Sequence, residues 1–346
     1  MPASIDIHGE NHARFPAWIL PAALLVGLVV LSLSVGKYEV APGAIGHVVF
    51  AKLTGSASGQ PQIVETVIWN VRLPRVLSAL LVGAALASAG AVYQGLFRNP
   101  LVSPDILGVS AGASLGAVTG IFLSLPVLAI QALAFAGGLG AVAMVYSVGS
   151  AARDRDPVLV LVLAGVAIGA MLGACISLLK VLADPYNQLP AITFWLLGSL
   201  ASVTRSDVLS VVPAIALGLV PMVLLRWRMN LMTLDDEEAR ALGVDTRRMR
   251  ATLIAAATLM TAAAVSVSGI VGWVGLLVPH VARIFVGPDF SRLLPVALML
   301  GGGFLVGADT LARSMAEIEM PLGILTAAVG APFFLWLLTT ARRGWQ

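Results

Sequence analysis

The sequence predicts an all-α, polytopic membrane protein with about ten transmembrane helices, and three observations predict it. Hydrophobic residues fill 58% of the 346 positions and charged ones 11%, against roughly 45–50% and about 25% in soluble domains. The apolar residues gather in runs near the ~20 residues that an α-helix needs to cross about 30 Å of hydrocarbon. Polar clusters and Pro/Gly punctuation separate the runs.

Taken in order, the first 14 residues, MPASIDIHGENHAR, mix Asp6 and Glu10 with Arg14. They lack the purely positive start of a cleaved signal peptide and read as a cytoplasmic tail at 1–14. Residues 15–346 form one transmembrane domain, whose first span is 15–36. Residues 37–72 hold a surface helix in APGAIGHVVFAKLTG and then the flexible GSASGQPQ. Spans are expected at 73–97, 106–123, 127–149, 158–182, 206–227, 250–269, 273–287, 293–315 and 322–341. The piece 273–287 is the weakest of these because its end is polar. LPAITFWLLGSLASVT, within 184–205, keeps only about 14 residues before its polar end, so a short re-entrant or interfacial helix fits better than a span.

Lys and Arg are enriched in cytoplasmic loops. An inside N-terminus places Arg14, Arg98, Arg153, Arg155, the six arginines between 226 and 250, Arg283, Arg292, Arg342 and Arg343 on the cytoplasmic side, 14 of the 21 cations. Lys37, Lys52, Arg72, Arg75, Lys180, Arg205 and Arg313 fall outside. Both termini are then cytoplasmic, and 37–72 and 184–205 are periplasmic segments. Small residues crowd LLVGAALASAGAVYQGLF (80–97) and ILGVSAGASLGAVTGIF (106–122). Lipid is as apolar as Leu, so membrane helices associate through the close approach that Gly, Ala and Ser permit.

Enzyme chemistry has no visible candidate. None of the three lysines sits in a GxxxxGK[ST] phosphate loop, no HExxH occurs, and His8, His12, His47 and His280 are too dispersed for a metal cage. No catalytic residue, metal or nucleic-acid partner is expected. Cys175 reads as a buried structural thiol. Asp309 and Arg313 stand at i and i+4, where a mutual ion pair is the simple reading, and Lys180 can snorkel. A self-contained carrier driven by protons would carry more intramembrane carboxylates than this chain shows.

One stretch departs from this apolar background. MTLDDEEARALGVDTRRMR (232–250) carries nine charges in 19 positions. A charge run is usually a solvated loop, and positive-inside sorting accounts for Arg247, Arg248 and Arg250. It does not account for the acids, since carboxylates contribute little to that rule. Acids at the start of DEEARALG favour a helix N-terminus and Gly243 supplies its stop. A short charged helix projecting from the bilayer suits docking.

LMTLDDEEARALGV, RLPRVLSALLVGAALASAGAVYQGLFRNPLVSPDILGVSAGA (72–113), SGIVGWVGLLVPHVAR (268–283) and ADTLARSMAEIEMPLGILTAAVGAPFFLWLL (308–338) together resemble the FecCD/BtuC-type ABC importer permeases, in order and spacing, over nearly the whole chain. The resemblance implies a BtuC-like fold in which 73–182 and 250–341 are inverted helical repeats. It implies a homodimer in a bacterial cytoplasmic (inner) membrane, with the translocation path along the dimer interface. Two ATP-binding cassette subunits below and a periplasmic substrate-binding protein above would complete the importer. The substrates of the family are ferric siderophores, haem or cobalamin. ATP-Mg would be used by the partner ATPase, with no cofactor bound by this chain.

The same resemblance assigns residues. The coupling loop is 228–249, with Leu234, Asp235, Asp236, Glu237, Glu238, Ala239, Arg240, Ala241, Leu242 and Gly243 docking in the ATPase. Arg72, Arg75 and Arg313 would receive carboxylates of the binding protein, the alternatives being headgroup anchoring for the first two and the Asp309 pair for the third. Val158 and Leu159 would form a cytoplasmic gate, or pack as an ordinary span end. His280, Arg283, Asp289 and Arg292 form a polar rim, mirrored by FRNPLVSP (97–104). A ferric siderophore or haem is the expected cargo; a cobalamin importer, a secondary transporter, and a receptor or scaffold are the alternatives.

Overall fold

The computed structural model describes residues 18–151 and 157–340. The tail at 1–14 and the cations Arg14, Arg153, Arg155, Arg342 and Arg343 lie outside the described residues. Those described form helices and connecting turns, with no strand among them.

The chain opens with α1 (Ile19–Ser34) and a surface helix, α2 (Pro42–Thr54), which starts on Pro42 and stops at Gly55 with φ 74°. Pro suits a first helical position and Gly a left-handed stop. A five-residue α3 (Gln62–Thr66) runs through a π-helical turn, Val67–Arg72, into α4 (Leu73–Leu96). The sequence begins this span at 73, whereas the helix begins at Gln62. The added turns are polar enough to read as loop, and Lys52 pairs with Glu65 at 2.9 Å to hold them against α2.

After α4 come α5 (Val109–Phe122), α6 (Val127–Ala151), α7 (Pro157–Leu182), the ten-residue α8 (Gln188–Leu197) and α9 (Arg205–Leu224). Short α10 (Arg226–Met229) and α11 (Asp236–Ala241) lead into α12 (Thr246–Ser268), α13 (Val274–Val286), α14 (Phe290–Ser314) and α15 (Leu322–Thr340). All ten expected spans are helices. Six are long and apolar enough alone to cross a membrane, counting 62–96 as one, while α1, α5, α13 and α15 are apolar but offer shorter described stretches.

Two four-helix sets emerge, α4–α7 and α12–α15. Their lengths run 24, 14, 25, 26 and 23, 13, 25, 19 residues, so the second member is the short one in both. The first helix of each set packs on the second and third of the other, α4 on α13 and α14, α12 on α5 and α6. α4 and α12 run in opposite directions, because the chain just past the end of α4 meets the segment that starts α12. These are the inverted repeats.

Glycines set the closeness of packing. Eighteen of the 24 residues of α4 are buried. A methyl group on Gly83 would drive into the Gly301 carbonyl, and one on Gly90 into that of Gly275. Dispersion falls steeply with separation, so such contact is what holds helices together in lipid.

The short α8 ends inside the molecule. At Gly198 (φ 72°) the chain turns, Ser199 donates its N–H to the Ser268 carbonyl at 2.8 Å, and Leu322 donates to the Gly198 carbonyl at 2.9 Å. The non-helical 269–273 and the start of α15 thus satisfy backbone that α8 leaves open. Irregular backbone at membrane depth is tolerated only where protein or water satisfies it.

Candidate functional site

Two polar clusters lie at opposite ends of the bundle. The first surrounds α11. Arg98, just past α4, donates from Nη1 to Asp235 Oδ1 at 2.6 Å and from Nη2 to Asp236 Oδ1 at 3.3 Å, while its Nε meets the Met232 carbonyl at 3.2 Å. Arg250 of α12 reaches the same Asp236 oxygen at 3.0 Å. Asp235 was expected to help start α11, but its carboxylate makes no cap bond and goes to Arg98 instead.

A second clamp is made by Asn230, whose Nδ2 donates to Asp289 Oδ1 at 2.8 Å and whose Oδ1 accepts from the Phe290 N–H at 2.8 Å. These bonds hold Asp289 well below the usual carboxylate range, with the Asn230 side chain as the main cause. Asp289 also caps α14 by accepting from the Ser291 N–H at 2.9 Å.

A six-residue helix is not stable by itself. α11 therefore depends on these clamps and on Ala239, which is fully buried beneath it. Gly243 (φ 83°) closes it, and the Val244 N–H returns to the Ala239 carbonyl at 3.0 Å. What remains outward is Glu237, Glu238, Arg240, Ala241, Leu242 and Gly243, with Leu242 60% exposed; Leu234 and Asp236 are half-buried. The result is a rigid acidic knob with an apolar tip.

In the rim nearby, Arg283 turns inward and donates to Gln94 Oε1 at 2.5 Å, and Gln94 Nε2 donates to the Leu276 carbonyl at 3.1 Å. His280 is buried, and Arg292 lies 3.8 Å from Asp289. The sequence did not single out Gln94, because a Gln among small residues carries no sign that it braces α13.

The second cluster holds Arg72, Arg75 and Arg313, which the fold brings together across 241 residues. They are buried, at 5, 8 and 8% exposure. Arg72 donates to the carbonyls of Leu33 (2.5 Å), Ser34 (2.9 Å) and Tyr38; Arg313 donates to the Ser32 carbonyl and, at 3.0 Å, to its hydroxyl. The last carbonyls of a helix lack intrahelical partners, and here two guanidinium groups close the end of α1.

Arg75 donates from Nε to both oxygens of Asp309, at 2.8 and 2.9 Å, and from Nη1 to Glu319. Arg313 lies 3.8 Å from Asp309, so the i,i+4 pair expected from sequence is the longer of Asp309's two ion pairs. A polar cleft lined by Val35, Gly36, Lys37, Arg313, Ser314 and Glu317 opens beside this cluster.

At the start of α7, Leu159 is 55% exposed while Val158 is half-buried against the core. Cys175 corrects an expectation: it is exposed rather than buried. Few α7 residues are buried inside the chain, so its surface is open to lipid or to another protein.

A model of the FecCD transport family matches residues 24–340. The chain is 38% identical over 321 residues to the molybdate import system permease protein MolB of Haemophilus influenzae, across 93% of this chain and 94% of that one. It is 44% identical over 281 residues to the cobalamin import system permease protein BtuC of Halobacterium salinarum, across 81% and 75%. It is 41% identical over 292 residues to the hemin transport system permease protein HmuU of Yersinia pestis, across 80% and 84%. A solved metal-chelate type ABC transporter in an inward-facing conformation superposes with a TM-score of 0.83 at 35% identity, covering 93% of this chain and 98% of that one.

Proposed function

The chain belongs to the FecCD transport family as a multi-pass ABC permease, and from that premise we propose that it carries a metal chelate, a ferric siderophore or haem, into the cytoplasm of a bacterial cell. It works as a homodimer across the inner membrane, both termini cytoplasmic, with two ATP-binding cassette subunits that use ATP-Mg and a periplasmic binding protein that delivers the cargo. The observation that carries this reading is the clamped α11. Arg98 and Arg250 fix its root, and Glu237, Glu238 and Leu242 face outward, with no ion pair or side-chain hydrogen bond among the described residues. A rigid projection transmits the motion of a partner; a floppy loop does not.

Arg72, Arg75 and Arg313 are read as the docking cations for the binding protein at the opposite end, where Arg313 forms part of a cleft wall. Their buried bonds give them a structural duty as well, so an incoming carboxylate competes with Glu319 for the Arg75 fork. Arg is suited to this because its planar group binds carboxylates bidentately. Val158 and Leu159 are read as the gate, and Leu159 is the one turned away from its own chain.

Copurification with a co-expressed ATP-binding cassette subunit tests the assembly. ATPase stimulation by candidate loaded binding proteins tests the cargo. The 44% identity to a cobalamin permease favours cobalamin as the second reading, and that assay separates the two.

A further inference from the structure

Asp105 lies where an acid is costly. The segment Pro104–Leu107 is a tight helical turn that re-enters the bundle before α5, and its Ile106 carbonyl rests against Gly165 of α7, where a methyl group would collide. α5 has 14 residues, about 21 Å at roughly 1.5 Å per residue. If its far end reaches the outer face, its start is about 9 Å inside a hydrocarbon layer of about 30 Å. Gly165 gives a similar depth, eight residues into α7 from Pro157, about 12 Å along that helix.

At this depth the Asp105 side chain keeps accessible area, in a recess among packed neighbours. Among the described residues its partners are the hydroxyls of Ser110 and Ser103, and no Arg or Lys pairs with it. An ionised carboxylate facing lipid costs several kcal/mol, so such groups face a wet cavity or protein. A carboxylate also suits the positive N-terminal end of α5, but an uncharged Ser or Asn fills that role without an ion at depth. Beside it, α7 leaves Leu159, Leu163 and Val166 exposed. The turn that carries Asp105 thus packs on the helix whose start holds the gate residues.

Resting on the import reading above, we propose that Asp105 lines the aqueous translocation path and, doubled in the homodimer, sets a negative potential there that favours cationic or neutral ferric siderophores over anionic cargo, haem with its ionised propionates included. Two like carboxylates across a narrow wet path repel an anion and attract a cation, more strongly than in bulk water because the walls have a low dielectric.

The test reads the potential directly. In a Cys175→Ser background, Ser110→Cys places a thiol beside Asp105 in membrane vesicles. Its labelling rates with a cationic (trimethylammonium-ethyl) and an anionic (sulfonatoethyl) methanethiosulfonate are compared. Their ratio cancels the thiol's own reactivity. The thiol should label with both reagents, and Asp105→Asn should lower the cation-to-anion ratio by about tenfold, while Asp105→Glu keeps it. Ser103→Cys provides an independent second thiol, should the first disturb folding. Absence of labelling at both positions, or a ratio unchanged by Asp105→Asn, overturns the proposal. The measurement needs neither ATPase nor cargo, so a negative result leaves the permease reading, tested by copurification, intact.

Discussion

Arg75, in the first turn of α4, grips Asp309, near the end of α14, through two hydrogen bonds at 2.8 and 2.9 Å across 234 residues of chain. Both side chains are almost wholly buried. This bond closes the end of the interface between the two repeats where glycines give the closest backbone approach.

Removing one partner should be costly. Asp309→Ala leaves the Arg75 and Arg313 charges buried together, and a loss of about 3–5 kcal/mol is expected. Unfolding in detergent, followed by intrinsic fluorescence, measures it. The paired change Arg75→Met with Asp309→Leu should recover much of the loss. An Asp309→Ala protein as stable as the parent would contradict the ledger of charges given for this end.

Glu319 offers a cleaner probe of docking than the arginines, whose removal also opens the end of α1. It pairs with Arg75 at 2.9 Å and its side chain is 35% exposed. If Arg75 receives a carboxylate from the binding protein, Glu319→Gln removes a competitor. Affinity for the cognate binding protein should then rise severalfold, with a faster association rate. Unchanged affinity in a surface-binding assay would leave Arg75 as a structural group only.

Much of this was legible in the sequence, for a physical reason: spans are long and apolar, and their punctuation is polar. The ten helices follow from that, as does α8 being too short to cross. The start of the second helical span at Gln62, in α3, was hidden because its first turns carry Glu65, Thr66 and Asn70. Pairings distant in sequence were hidden for another reason. Asp309 has an arginine four residues away, and local spacing favours that partner, but the rigid approach of α4 and α14 gives the tighter geometry to Arg75. Arg98 and Arg250 were visible as cytoplasmic cations, not as the clamp on Asp236.

The clamp at Asn230 predicts an acid dependence. The folded state holds the Asp289 carboxyl below its ordinary value. A group with a lowered folded pKa stabilises above its unfolded value, about 3.9, and loses that contribution as pH falls through the folded value. Thermal melting temperature should therefore decline below about pH 4, and Asp289→Ala should flatten that decline. At pH 7 the same change should cost about 1 kcal/mol through the lost cap of α14.

Close helix contact predicts a contrast between two glycines. Gly90→Ala forces α4 away from the Gly275 carbonyl, whereas Gly140 of α6 faces open space. The first should destabilise by about 1–3 kcal/mol or more, and Gly140→Ala should be near neutral. Equal melting temperatures for the two variants would show that α4 and α13 do not pack as described.

The central claim is that α11 transmits the work of a separate ATPase. The most direct measurement is uptake by proteoliposomes holding this chain, its ATP-binding cassette partner and a loaded binding protein, compared with the same system carrying Glu237→Lys and Glu238→Lys. ATP-dependent uptake is expected from a complex of two copies of this chain and two ATP-binding cassette subunits, served by the binding protein. The double variant should insert normally but lose at least tenfold in uptake and in ATPase copurification. Uptake that proceeds without the ATPase, or that the double variant leaves unchanged, would contradict it.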